Sequence, residues 1–227
     1  MAKNVGIFIF DEVDILDFSG PYEVFSRTRT KPGIESRKNN DSAPFNVFTI
    51  SKLQQTIRVS GGLKVLADYD FKDSPKVDIL LIPGGLGTRS LLQSKETISW
   101  ILDTAEGASL ITSVCTGSLL LARAGLLKNK KATTHWGALE LLKNVSPSTK
   151  ILKDRRVVDD GIITSAGVSS GIDMAFQVVA KLFGDDVAAD TAKYIEYFAA
   201  EILSKPKNRA AVIQTPALLE PGIKAKI

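Results

Sequence analysis

Short, continuously apolar runs set between longer segments of helical character constrain this chain most. Residues 5–10, 45–50, 77–82 and 110–114 are dominated by valine, isoleucine, leucine and phenylalanine. A strand with one wet face alternates apolar and polar side chains, whereas a strand covered on both faces reads as an unbroken run, as in parallel sheets. A return pair over 156–158 and 162–165 is expected around the turn signal Asp159-Asp160-Gly161. Candidate helices cover 22–27, 96–106, 117–127, 135–143, 172–183 and 187–202. Strands interleaved with helices predict βαβ units and therefore a doubly wound α/β domain with a mainly parallel sheet. One such domain over 1–203 accounts for most of the 227 residues, and 204–227, with three prolines and no sustained apolar period, is expected to be a C-terminal arm. Residues 27–44 carry five basic and two acidic side chains, two prolines and few apolar residues, which predicts an exposed, solvated loop.

The charge pattern narrows the function classes. A net charge of +4 is spread over 29 basic and 25 acidic residues without a basic stripe, so no nucleic-acid partner is needed to explain it. The first apolar run is broken by Asp11, too early for a secretion signal or a membrane span, so a cytoplasmic protein with no membrane partner is the expectation. A single cysteine excludes an internal disulfide, and one histidine beside one cysteine cannot assemble the usual zinc-ligand spacings, so no metal is expected.

In an open parallel sheet ligands bind beyond the carboxyl ends of the strands. The segments there are Asp14-Ile15-Leu16-Asp17-Phe18-Ser19-Gly20-Pro21, Pro83-Gly84-Gly85-Leu86-Gly87, Cys115-Thr116-Gly117-Ser118 and Ala166-Gly167-Val168-Ser169-Ser170-Gly171. Cys115 stands between a predicted strand and a predicted helix, the outline of a nucleophile elbow. The helix N-terminus is expected to lower its pKa from about 8.5 and favour thiolate. The alternative is a buried apolar filler, since free cysteine is among the most buried residue types. Backbone N–H groups of Gly84, Gly85 and Thr116 are candidates for an oxyanion or substrate-positioning site. Asp17 is the candidate acid/base partner, on a loop ahead of Gly20-Pro21 with Pro21 in the first turn of a helix. An aspartate there is also a common cap, a role that suits Asp11 and Asp14 better. His135 either supports the site or is structural.

The segments Ile82-Pro83-Gly84-Gly85, Val114-Cys115-Thr116-Gly117-Ser118-Leu119-Leu120-Leu121, Ala124-Gly125-Leu126-Leu127 and Thr133-Thr134-His135-Trp136 resemble the ThiJ/PfpI superfamily. Leu16-Asp17-Phe18-Ser19-Gly20-Pro21 and Gly167-Val168-Ser169-Ser170-Gly171-Ile172-Asp173 are most similar to its isocyanide hydratases. The resemblance implies a flavodoxin-like sandwich, a homodimer, a small-molecule substrate and no cofactor. It implies Cys115 as nucleophile and Asp17 as its acidic partner, where most of the superfamily has glutamate. Threonine at position 116, where the protease-like branch has histidine, weighs against a Cys-His pair. The implied reaction is hydration of R–N≡C to an N-substituted formamide through a cysteine thioimidate. Rival expectations are the sensor domain of AraC-type regulators, for which 24 residues after 203 leave no room for a helix-turn-helix region, and another ThiJ/PfpI activity such as a glyoxalase, an amidase or a redox-responsive protein.

Overall fold

The computed structural model describes residues 2–53 and 55–197. In chain order its elements are β1 (Lys3–Phe8), α1 (Ile15–Arg27), β2 (Phe45–Ser51), β3 (Thr56–Arg58), β4 (Lys64–Leu66), β5 (Tyr69–Asp70) and β6 (Ile79–Ile82). There follow α2 (Thr88–Leu91), α3 (Lys95–Gly107), β7 (Leu110–Val114), α4 (Gly117–Arg123), β8 (Lys131–Ala132), α5 (Leu139–Val145) and β9 (Lys150–Ile151). The last described elements are β10 (Val157–Asp159), β11 (Ile163–Ser165), α6 (Ser170–Phe183) and α7 (Asp185–Tyr194).

The main sheet runs β10-β11-β7-β6-β1-β2-β5, parallel throughout except for β10 against β11. Setting aside the outer β5 and β10, its five parallel strands follow the flavodoxin-like order 2-1-3-4-5. The chain leaves β1 toward β2 on one side and returns through β6 on the other, so strand order reverses between β1 and β6. That reversal opens a crevice at the carboxyl ends of these strands. Helices α1, α6 and α7 pack together, and α2, α3 and α5 pack around α4. Strand residues Val5, Ile7, Ile79, Leu80, Leu81, Ile82 and Val114 are fully buried, as strands sandwiched between two helical layers require.

Helix α1 meets α6 at small residues. A side chain on Gly20 would come within 2.8 Å of Ile172, and one on Gly171 within 3.0 Å of Val114. This close approach carries the start of α1 across to the end of β7, where the predicted site lies.

Several boundaries differ from the sequence reading. Helix α1 starts at Ile15 rather than near Pro21, because the Asp14 side chain accepts a hydrogen bond from the Leu16 N–H (3.3 Å) and caps it. Asp17 is therefore in the first turn of a helix and not on a loop, and Pro21 is in the helix interior. The hairpin β3–β4 leaves no trace in the sequence pattern, since three-residue strands have no periodicity to read. Helix α4 ends at Arg123, ahead of Gly125 at φ 79°. His135 precedes a single 3-10 turn, Trp136–Ala138, before α5. Helix α7 ends at Tyr194, and both the remainder of the predicted 187–202 helix beyond residue 197 and the expected arm lie outside the described residues.

The segment between α1 and β2 is largely exposed, as its composition predicts, but two of its arginines are buried. Arg29 is 3% exposed and donates hydrogen bonds to the Ser26, Thr28 and Asn39 carbonyls and to Asn40 Oδ1. Arg37 is buried against Asp190 of α7, with its guanidinium 5.1 Å from the Tyr194 ring centroid. For these two arginines alone composition misleads, because it counts charges without counting the carbonyls and carboxylates that take them up.

Candidate active site

Cys115 follows β7 directly, at φ 55°. A left-handed conformation is uncommon for a residue with a side chain and costs on the order of 1–3 kcal/mol. Four hydrogen bonds hold it. The Cys115 N–H is shared between the Ser165 (3.1 Å) and Ala166 (2.7 Å) carbonyls, and its own carbonyl accepts from the Ser118 (3.1 Å) and Thr134 (2.9 Å) hydroxyls. The result is a sharp strand-to-helix turn that turns the sulfur toward α1.

Asp17 is fully buried, and its Oδ2 accepts the Gly84 N–H at 2.9 Å. The Cys115 thiol interacts with the same carboxyl. Among the described residues Oδ1 has no hydrogen-bond partner. Burial, reinforced by the negative charge of Asp14, pushes Asp17 up to about 7, against the pull of the Gly84 N–H and the thiol. The Cys115 thiol is pushed up to about 12 by burial and then by the Asp17 charge. The N–H groups of Thr116 and Val168 and the Thr116 hydroxyl interact with the sulfur in the opposite sense. This corrects the expected lowering by the helix N-terminus: α4 has only seven residues, and desolvation beside a carboxylate outweighs it. The two groups titrate as a pair, holding two protons below about pH 7 and one above it.

The candidate oxyanion donors have other uses. The Gly84 N–H is directed at Asp17, and the Gly85 N–H donates to Thr116 Oγ1 at 3.0 Å. Thr116 Oγ1 also meets Thr88 Oγ1 at 3.2 Å, which in turn donates to the Gly85 carbonyl at 2.7 Å. Glycine is required at both positions for space. A side chain on Gly84 would lie 2.5 Å from the Thr116 nitrogen and 2.8 Å from Asp17 Oδ2, and one on Gly85, at φ 129°, would lie 2.2 Å from the Glu12 carbonyl oxygen. These loops hold the Cys115–Asp17 pair together rather than offering free donors to a ligand.

His135 lies against the loop after β11: a side chain on Gly167 would come within 2.6 Å of its ring. Its Nδ1 accepts the Gly137 N–H at 3.1 Å, and burial, helped by the Arg89 charge, lowers its pKa. No hydrogen bond joins it to Cys115 or Asp17. Val168, at φ 40°, is the contributor that sequence reasoning missed by role. Its segment reads as a loop, but nothing in the residue type signals that its backbone N–H faces the sulfur. Among the described residues no group of three or more histidine, cysteine, aspartate or glutamate side chains could hold a metal ion. No helix among them is long and apolar enough to cross a membrane.

Residues 3–181, which hold every group of this site, match the model of the DJ-1/PfpI family. The chain belongs to that family. Isonitrile hydratase of Pseudomonas putida is 34% identical over 197 residues, covering 87% of this chain and 79% of that protein. The HTH-type transcriptional regulator GbdR of Pseudomonas aeruginosa is 23% identical over 195 residues, and this chain spans about half of its length (51%). Among solved structures, a ThiJ/PfpI family protein from Pseudomonas syringae superposes with a TM-score of 0.77 at 28% identity, covering 96% of this chain and 82% of that one. Drosophila melanogaster DJ-1beta superposes at 0.71 with 22% identity, covering 86% and 98%, and shares the fold.

Proposed function

We propose that this family member hydrates an isocyanide to an N-substituted formamide. The observation that carries the reading is the buried pair itself: one thiol and one carboxyl, in contact, with Asp17 poised at about 7. The relative named isonitrile hydratase supports it.

The isocyanide carbon accepts both a nucleophile and a proton, and the pair supplies both. Above about pH 7 Asp17 is a carboxylate beside a thiol. As Sγ forms a bond to the terminal carbon, Asp17 takes the thiol proton and delivers it to that same carbon, leaving R–N=CH–S–Cys115 and an ionised Asp17. Water then adds to the carbon, Asp17 takes its proton and passes it to nitrogen, and collapse of the tetrahedral adduct expels Cys115 as thiol and releases R–NH–CHO. Thr116 and Val168 N–H groups stabilise negative charge on sulfur during attack and departure. Gly84 and Gly85 act by holding Asp17 and Thr116. His135 supports the 166–169 loop without transferring a proton. The working unit is a cofactor-free homodimer in the cytoplasm acting on a small molecule, and light scattering on the purified chain measures the assembly.

Incubation with an aryl isocyanide, followed by loss of the N≡C infrared band and appearance of the formamide, is the direct test. Absence of turnover with alkyl and aryl isocyanides alike overturns the activity. The regulator relative favours a second reading, a ligand-sensing module. Saturable binding of an isocyanide or other small molecule without product would establish that one instead.

A further inference from the structure

We infer that the Arg156–Asp173 ion pair, with Tyr197 and Ser169, is a positioning device that sets the Val168 N–H against the Cys115 sulfur. It rests on Cys115 being the reacting group and not on isocyanide being the substrate.

Val168 is β-branched and left-handed at φ 40°, a conformation that persists only where its surroundings impose it. Its segment is short and tied at both ends. On one side the Ala166 N–H donates to the Arg156 carbonyl at 2.8 Å, while the Ala166 carbonyl accepts from Cys115. On the other side α6 begins at Ser170, with the Ser170 N–H on the Gly167 carbonyl (3.0 Å) and the Gly171 N–H on the Val168 carbonyl (3.1 Å).

The Arg156 side chain spans these two anchors. Nε donates to Asp173 Oδ2 at 2.6 Å, Nη2 forms an ion pair with the same oxygen, and Nη2 reaches Ser169 Oγ at 3.3 Å. Asp173, in the first turn of α6 and 4% exposed, accepts the Tyr197 hydroxyl on Oδ1 at 2.8 Å. Tyr197 itself stacks on the buried Phe176. One guanidinium thus links the strand end that holds Ala166 to the helix start that follows Val168. The Asp173 carboxylate is buried and the Arg156 guanidinium half-buried, so the pair keeps its geometry because the carboxylate left alone is strongly unfavourable. The aspartate also sits where the helix dipole favours a negative charge.

The device acts on sulfur through one backbone N–H, so its effect is read on sulfur. The test is the rate of Cys115 alkylation by iodoacetamide across pH in Arg156→Met, Arg156→Lys and Ser169→Ala, beside thermal unfolding of each. Expected is a slowing of about tenfold in Arg156→Met at every pH below the thiol pKa, corresponding to about one pKa unit of lost thiolate stabilisation. Partial restoration in Arg156→Lys is also expected, with a smaller slowing in Ser169→Ala. If Arg156→Met does not fold, Ser169→Ala decides. A folded variant whose alkylation rate and pH dependence match the parent chain overturns the inference, whether or not isocyanides are turned over. Loss of isocyanide turnover in the parent chain, with the alkylation differences intact, would remove the proposed activity and leave the positioning role standing.

Discussion

Replacing Asp17 with asparagine should shift the stability balance toward the variant as pH rises from acid to alkaline, while removing the proposed isocyanide turnover. Asparagine keeps an oxygen for the Gly84 N–H, which Asp17 Oδ2 now accepts at 2.9 Å, and cannot ionise. In the parent chain the folded carboxyl titrates at about 7, against an ordinary 3.8. Because its folded pKa is raised, the folded state binds the proton more tightly than the unfolded chain does. That contribution is fully present below the unfolded pKa and is lost as pH rises through about 7. At about 1.4 kcal/mol per pKa unit the whole loss is about 4 kcal/mol. Roughly 3 kcal/mol of it falls between about pH 5 and about pH 8.5. Urea unfolding of both proteins at those two pH values, at one protein concentration, gives the difference in stability between variant and parent. A buried amide N–H beside the sulfur adds a penalty that is the same at both pH values and cancels. The difference should move by about 3 kcal/mol in favour of asparagine on going alkaline. A gap that stays constant to within about 0.5 kcal/mol would refute the assignment of a strained, ionised carboxylate to position 17. Isocyanide turnover by the same variant should fall by roughly 10² to 10⁴.

The remaining predictions concern neighbouring groups. In the parent chain kcat/KM for an isocyanide should rise with pH through about 7, as Asp17 becomes the base that receives the thiol proton. Asp14→Asn should shift that midpoint downward, since the Asp14 charge helps hold Asp17 up, while asparagine still caps α1. Gly84→Ala places a methyl 2.5 Å from the Thr116 nitrogen and should lower stability by about 1–3 kcal/mol with loss of turnover, read by thermal unfolding and formamide yield. Cys115→Ala should abolish turnover and the thioimidate mass adduct trapped from the parent chain, and retained turnover would refute covalent catalysis. His135→Gln should leave the pH profile of turnover in place, because the ring bonds Gly137 and neither member of the pair.

How much of this was legible follows from the range of the interactions involved. The inner strands are readable because burial on both faces leaves continuous apolar runs: the predicted 110–114 is β7, and the predicted 45–50 lies within β2. The strand-to-helix turn at Cys115 and its approach to Asp17 could be proposed from residue types at the strand ends. The electrostatics could not. A helix N-terminus next to Cys115 is a local signal that argues for thiolate, whereas the burial and the Asp17 carboxylate that reverse it come from α1, about a hundred positions away. Likewise Gly84 and Gly85 read as free donors until the structure shows Asp17 and Thr116 already bonded to them. Arg29 and Arg37 read as solvated because their partners at Asn39, Asn40 and Asp190 are distant or unremarkable in sequence. Val168 enters through a backbone torsion, which no side chain encodes.

The protonated resting sulfur also bears on durability. Peroxide attacks thiolate and largely ignores thiol. Burial and the Asp17 charge push the thiol up, which favours the protonated sulfur at neutral pH and slows its oxidation to sulfenic acid and the irreversible oxides beyond it. A reagent that captures this sulfur must do so while Asp17 carries its proton away. On the proposed mechanism, a substrate whose attacked carbon can receive that proton engages the sulfur without a free thiolate ever forming.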